Sequence, residues 1–198
     1  KKKIQEDDKK NPQNPYSKSK MDVENYLLSL SNKNKINTII LRYFNVAGAD
    51  KKERSGFISG SKSLIKSICE VAKGKKDKLV INGNDYKTKD GTTVRDFIHV
   101  SDVAEMHLIV AEYLIKENKT DVFNCGYGNG YTIKEVVEAT NKILKKELKV
   151  EYGPRRKSDT EYSVSNNKKF LKKFNWVPKN NNMEIILRSS LNWEDKLN

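Results

Sequence analysis

Tyr16 and Lys20 stand four residues apart in Asn14-Pro15-Tyr16-Ser17-Lys18-Ser19-Lys20, at the head of a stretch patterned as a helix. A helix brings residues four apart onto one face, so the phenol and the ammonium can share one site. A neighbouring cation favours phenolate over phenol and draws a tyrosine down from its ordinary pKa of about 10. A tyrosine so placed can shuttle protons near neutral pH. The plain alternative is a surface tyrosine beside lysines, in a chain with 39 Lys+Arg. The other polar blocks decide between the two.

Arg42-Tyr43-Phe44-Asn45 ends a short apolar run, Thr38-Ile39-Ile40-Leu41, expected to be a strand covered on both faces of a parallel sheet. Ligands of open α/β sheets collect beyond the carboxyl ends of strands, which puts Tyr43, Phe44 and Asn45 within reach of one. Otherwise Tyr43 and Phe44 are core and Asn45 begins a turn. The turn-rich block Asp85-Tyr86-Lys87-Thr88-Lys89-Asp90-Gly91-Thr92 leads into Thr93-Val94-Arg95-Asp96-Phe97-Ile98-His99-Val100, an apolar strand carrying one arginine and one aspartate. Arg95 suits bidentate binding of an anion such as phosphate, unless it pairs internally with Asp96 or Asp102. Gly153-Pro154-Arg155-Arg156-Lys157-Ser158-Asp159 adds a second basic loop. Two arginines from different loops can clamp a diphosphate, with an aspartate accepting from sugar hydroxyls.

Two patterns are set aside. Gly126-Tyr127-Gly128-Asn129-Gly130 lies between strand and helix, but its third glycine comes one residue early for a dinucleotide fingerprint. It reads as a tight strand-to-helix turn. His99 and His107 are the only histidines, too few for a zinc site without further ligands. His107 falls on the apolar stripe of its helix and is expected to be buried and structural.

Period-3.6 patterns predict helices over 16–32, 62–73, 101–117, from the Thr132/Glu135 capping box onward, and over 165–173 and 182–195. The first carries Val23, Tyr26, Leu27 and Leu30 as its stripe. Short strands at 38–41, 79–81, 122–125 and 148–152 alternate with them, which defines an α/β fold with a largely parallel sheet.

A length of 198 residues suits one domain or a large piece of one. The two cysteines match no metal or disulfide spacing, so a reducing, cytoplasmic setting is expected. No apolar run approaches the roughly 18 residues of a membrane helix, and no membrane partner is expected. The net charge of +13 invites nucleic acid, but the lysines are scattered, often beside asparagine, and form no stripe. Nucleic acid is therefore not expected as a partner.

Taken in order, the blocks Asn14-Pro15-Tyr16-x-x-x-Lys20, Arg42-Tyr43-Phe44-Asn45 with Gly48, Asp85 to Thr92, Val94-Arg95-Asp96-x-Ile98-His99-Val100-x-Asp102, Phe123-Asn124-x-Gly126 and Pro154-Arg155-Arg156-x-x-Asp159 resemble the UDP-glucose 4-epimerase family. That family belongs to the extended short-chain dehydrogenase/reductases, and the likeness runs from about residue 11 to the end. It implies the C-terminal part of a Rossmann-type fold, a parallel-sheet remnant plus a small α/β substrate-binding domain. Residues 1–50 would end the NAD-binding domain. Residues 51–198 would mainly bind UDP-sugar, with segments around 95–125 returning to the Rossmann sheet.

The resemblance implies NAD as cofactor, a UDP-hexose as substrate and a homodimer when full length. Tyr16 and Lys20 would be catalytic and, with Tyr43, would touch NAD. Phe44, Asn45, Arg95, Arg156 and Asp159 would bind substrate, the two arginines on the diphosphate and Asp159 on the uridine ribose. Asn82, Ser63 and Ser158 depart from the family pattern, which bears on base and sugar preference. Preference for N-acetylated sugars depends on the pocket volume near Ser163.

The glycine-rich loop, the acidic ribose ligand and the family's catalytic Ser or Thr have no counterpart after Lys1. The chain is therefore expected to be a fragment, inactive alone and a poor binder of NAD. Rival readings are another NAD-dependent nucleotide-sugar epimerase, dehydratase or decarboxylase, and a non-catalytic remnant acting as a basic binding module.

Overall fold

Asn14 and Pro15 start the first helix as their types require. The Asn14 carboxamide accepts the Ser17 N–H at 2.8 Å, the Ser17 hydroxyl receives the Asn14 N–H, and Pro15 fills a position whose N–H would be orphaned. The structure is a computed structural model describing residues 2–58 and 60–197; Lys1, Ser59 and Asn198 lie outside it.

In chain order the elements are α1 (Pro15–Asn32), β1 (Ile39–Tyr43), β2 (Asn45–Ala47), α2 (Leu64–Ala72), β3 (Leu79–Asn82) and β4 (Val94–His99). There follow α3 (Val100–Glu117), β5 (Asp121–Cys125), β6 (Gly130–Thr132), α4 (Ile133–Leu144), β7 (Val150–Gly153), β8 (Tyr162–Ser163), α5 (Lys168–Phe174) and α6 (Met183–Lys196). The expected capping box stands: Thr132 and Glu135 satisfy each other's backbone N–H at the head of α4.

Among the described residues the strands form three small sheets. β1 runs parallel to β5, with Leu41 beside Phe123 and Tyr43 beside Cys125. β4 is the hub of the second, parallel to β2 and β8 and antiparallel to β6. β3 and β7 make the third, also parallel. The core gathers Ile65, Ile68, Phe97, Ile98, Phe123, Val136, Ile186 and Leu187. Around β5, Phe123, Phe170, Phe174 and Trp176 pack with ring centroids 4.6–5.6 Å apart. Edge-on packing of that kind adds to the area such rings bury.

Three expectations are corrected. Along β1, Ile39 to Arg42 are only half-buried and Tyr43 is exposed, because one edge of the strand is unpaired among the described residues. On α1 the stripe is not buried: Val23 and Tyr26 are 57% and 63% exposed, and the one fully buried side chain is Glu24. On α3 it is Val103, Met106 and Val110 that face inward, which leaves His107 exposed. The stripe was read one position too wide. No helix among the described residues is long and apolar enough to cross a membrane.

Candidate active site

β4 supplies Arg95 from a strongly braced setting. The loop before it turns at Gly83 and Gly91, both at positive φ, and a Cβ on Gly91 would fall 2.0 Å from the Asn84 carbonyl oxygen. Asp90 accepts from the Thr92 N–H, the Thr92 hydroxyl and the Thr132 hydroxyl at 2.9, 2.7 and 2.5 Å. Arg155 closes the loop from outside, binding Asp85 at 2.6 Å and stacking 4.3 Å from the Tyr86 ring centroid. The turn-rich block is thus scaffold, and so is the first arginine of the basic loop.

Asp96, next to Arg95, points the other way. Its buried carboxylate accepts the N–H groups of Tyr127, Gly128 and Ser165 at 3.0, 2.9 and 3.0 Å and the Ser165 hydroxyl at 2.6 Å. Burial pushes its pKa up, and these four bonds oppose the shift. A Cβ on Gly126 would lie 2.6 Å from that carboxylate, so only glycine permits the approach. In the glycine run the N–H groups of Tyr127 and Gly128 are held by this internal carboxylate. The run is more than a turn, however, because Gly130–Thr132 continue as β6.

Asp102 is also unavailable to Arg95. It accepts from the Tyr127 hydroxyl at 2.5 Å and from Asn180 at 3.0 and 2.6 Å. Burial, then the Asp102 bond, raises the Tyr127 pKa.

With Asp96 and Asp102 engaged, Arg95 turns into a cavity of about 320 Å³ lined also by Asn45, Asn82, Arg156 and Asp159. Its side chain is 15% exposed, Nη1 donates to the Thr160 carbonyl at 2.7 Å, and the Asp159 carboxylate lies 3.9 Å from Nη2. Burial lowers its pKa while Asp159 raises it. A guanidinium held this far from water with a loose counter-ion is stabilised by an incoming anion. Arg156 reaches the same cavity, where the Asn82 carboxamide, oriented oxygen-first, accepts from it at 3.0 and 3.2 Å. Asn45 donates to the Asp96 carbonyl at 3.1 Å. Among the charged lining residues, Lys62, Arg95 and Arg156 face one carboxylate, Asp159, so the cavity favours anions.

The first turn of α2 lines it too, through Ser63, Leu64 and Ile65. Ser63 caps the helix by accepting the Lys66 N–H at 3.2 Å. Free N–H groups at a helix start favour phosphate. Reading residue by residue missed this contribution, although a serine directly before an apolar helix was its signal.

A second hollow of about 360 Å³, lined by Tyr43, Phe44, Asn45, Arg95, Asp159 and Ser163, shares Asn45, Arg95 and Asp159 with the cavity. It shares Arg42 and Asp159 in turn with a broad trench of about 790 Å³ that includes Lys20. Asp159 lines all three. Tyr16 stands at the margin, 72% exposed, with the Lys20 ammonium 5.3 Å from its ring centroid. The two expected partners are together, but on an open face.

Glu24, one turn beyond Lys20, docks α1 on β1. It receives Arg42 Nε at 2.9 Å, Arg42 Nη2 at 2.7 Å and Lys10 Nζ at 2.9 Å. The Arg42 bonds hold its carboxyl below the usual range against the opposing effect of burial. His107, expected to be buried, instead lies exposed and bonds the Tyr43 hydroxyl through Nε2 at 2.5 Å. Among the described residues no group of three His, Cys, Asp or Glu side chains could hold a metal.

For a dinucleotide the fit is partial. Tyr43 ends β1 and lines the hollow, while Lys20 lines the trench with the Tyr16 ring beside it, a cation and two phenols apt for a ribose and an aromatic ring. The only glycine run between strand and helix is closed by Asp96.

The NAD dependent epimerase/dehydratase family matches residues 1–126, and the chain belongs to that family. The UDP-glucose 4-epimerase of Azospirillum brasilense is 37% identical over 195 residues, 98% of this chain and 56% of that protein. The structure of UDP-glucose 4-epimerase from Bifidobacterium longum with NAD+ and UDP superimposes with a TM-score of 0.91 at 32% identity, over 98% of this chain and 58% of that one. The UDP-Glc/GlcNAc 4-epimerase of Campylobacter jejuni gives 0.76 at 41% identity, over 98% and 59%. The chain therefore spans a little over half the length of these relatives.

Proposed function

We propose that this chain is the substrate-binding and proton-transferring part of an NAD-dependent UDP-glucose/UDP-galactose 4-epimerase. The observation that carries the reading is the convergence of Arg95, Arg156 and Asp159 on one anion-favouring cavity, with Asp159 also lining the Lys20 trench. Arg95 and Arg156 clamp the diphosphate with charge-assisted bonds, and Asn45 and the start of α2 assist. Asp159 accepts from the ribose of the nucleoside. Phe44 walls the hollow on the sugar side. Anchoring through the diphosphate leaves the hexose free to present either face.

NAD, when bound, would supply the acceptor and later the donor of a hydride at the sugar's C4. Tyr16 accepts the proton of the 4-hydroxyl and later gives it back. Lys20 holds a ribose of the cofactor and its charge favours the ionised phenol, while Tyr43 lies beside the ring. Residues 1–50 then belong with the nucleotide-binding domain. The exposed face of α1, with Val23 and Tyr26, is the surface for a homodimer of the intact, cytoplasmic enzyme.

Isothermal titration of this chain with UDP tests the reading: UDP binds the wild type, Arg95→Ala abolishes most of the affinity, and no binding by wild type would sink the proposal. NADH fluorescence retained by the chain alone would overturn its status as a partial site. In the intact protein, Tyr16→Phe loses most of the turnover and keeps UDP binding. A second reading, activity on N-acetylated sugars as well, is favoured by small Ser163 on the hollow's wall and by the likeness to the C. jejuni enzyme. Product analysis with UDP-galactose, UDP-N-acetylgalactosamine and UDP-xylose separates these from dehydratase and decarboxylase chemistry.

A further inference from the structure

We propose that His107 is a positioning residue: it locks the Tyr43 phenol at the end of β1 and leaves its oxygen able only to accept hydrogen bonds from a ligand. The argument begins with protons. His107 Nδ1 lies 2.7 Å from the Val103 carbonyl oxygen, which can only accept, so Nδ1 carries the hydrogen. Neutral imidazole then offers Nε2 as a bare acceptor. The Tyr43 hydroxyl stands 2.5 Å from Nε2 and donates to it. The rings are tilted by 41° with centroids 5.6 Å apart, so the two are linked through the polar atoms rather than stacked face to face.

Tyr43 is the last residue of β1 and 51% exposed, and a phenol this open is ordinarily free to change rotamer. The bond to a helix-anchored imidazole removes that freedom. It also spends the phenol's only proton. In a hollow that Arg42, Asn45, Arg95 and Asn124 make rich in donors, Tyr43 therefore rejects a phosphate oxygen and takes a donor, such as a carboxamide N–H or a ribose hydroxyl. His107 thereby sets the polarity of this end of the site: anionic groups go to Arg95 and Arg156, donor groups to Tyr43. The choice of ligand rests on the reading of Tyr43 as a cofactor contact; the lock does not.

His99 provides an internal control. Its Nδ1 accepts the Ser101 N–H at 3.1 Å, and its Nε2 lies 3.1 Å from the Ser189 hydroxyl, whose own proton goes to the Ile186 carbonyl. His99 must carry its hydrogen on Nε2. The chain's two histidines thus hold opposite tautomers.

The test is long-range proton–nitrogen correlation NMR on the histidine-labelled chain at pH 8, where only two imidazoles contribute. The expected result is one Nδ1–H form, lost in His107→Ala, and one Nε2–H form that remains. Tyr43→Phe shifts the His107 Nε2 signal and mixes its tautomers while His99 stays in place. His107→Gln, which keeps an acceptor, preserves the Tyr43 ring shifts that His107→Ala averages. A His107 found as Nε2–H, or unmoved by Tyr43→Phe, overturns the proposal. UDP added to the same sample reports on Arg95 and Arg156 separately. Failure of UDP to bind would sink the nucleotide-sugar reading and leave the His107 signature standing, so the two failures are distinguishable.

Discussion

The Arg95 cavity and the Tyr16–Lys20 face are built on opposite plans. Arg95 is mostly buried, braced by a loop that Asp90, Thr92, Thr132 and Arg155 tie down, and backed by the hub strand of a sheet. Tyr16 and Lys20 touch each other and are exposed on a helix whose Val23 and Tyr26 are also uncovered. Preorganisation differs accordingly. The Arg95 end is preorganised within this chain, whereas a Tyr–Lys pair on an open face needs a wall that excludes water before its charges count for much. Binding and chemistry are thus separable here, and substitutions can show it.

The largest effect is expected at Asp96, which supports the cavity without touching a ligand. Asp96→Ala leaves the N–H groups of Tyr127, Gly128 and Ser165 and the Ser165 hydroxyl without their acceptor. At about 1 kcal/mol or more for each buried donor, roughly 3–5 kcal/mol of stability goes. Urea unfolding measures it; a loss below about 1 kcal/mol would mean that the carboxylate is not the brace described. Next comes Arg95→Ala, expected to weaken UDP about 100-fold, against about tenfold for the exposed Arg156→Ala, since a desolvated charge pair is worth more than a solvated one. Equal losses in titration calorimetry would erase the distinction between a buried anchor and a rim contact.

Glu24 sharpens the comparison from the other side, because its ion pair with Arg42 fastens the open face to β1. Its carboxyl is held low by Arg42, so its contribution is present above the ordinary carboxylate pKa of about 4.3 and is lost as pH falls through the depressed folded value. Glu24→Gln is expected to remove roughly 1–2 kcal/mol at pH 7 and to make the acid limb of the stability profile shallower. Hydrogen exchange should then rise along α1 and not along β4. Uniform exchange would show that α1 is held by something else.

Much of this was legible in the residues, and the reasons for the rest are physical. Helix starts were readable where a cap is local, as at Asn14 and Thr132, since that chemistry lies within three residues. The short strands β2, β6 and β8 were not, because two or three residues carry no period and exist only through pairing with β4. Arg95, Arg156 and Asp159 were identifiable as candidates, yet their meeting in one cavity depends on β4 and β8 lying side by side. Glu24 and His107 were missed for a shared reason. Apolar periodicity assumes that a helix buries its apolar stripe, and α1 buries a carboxylate while α3 shows its histidine to solvent.

The smallest effect is the most diagnostic. Tyr16→Phe in this chain removes a hydroxyl that makes no hydrogen bond among the described residues and lies on a side chain 72% exposed. The ring, which is what Lys20 touches, is kept. Surface changes of this sort stay within about 0.5 kcal/mol, so urea unfolding should be unaltered, and UDP affinity should match wild type. A loss of stability beyond that would reveal a partner for the hydroxyl within this chain and make Tyr16 structural. An unchanged fold with unchanged UDP binding frees the hydroxyl from any structural role, and turnover of Tyr16→Phe in the intact protein then separates an idle surface phenol from one that acts on a ligand.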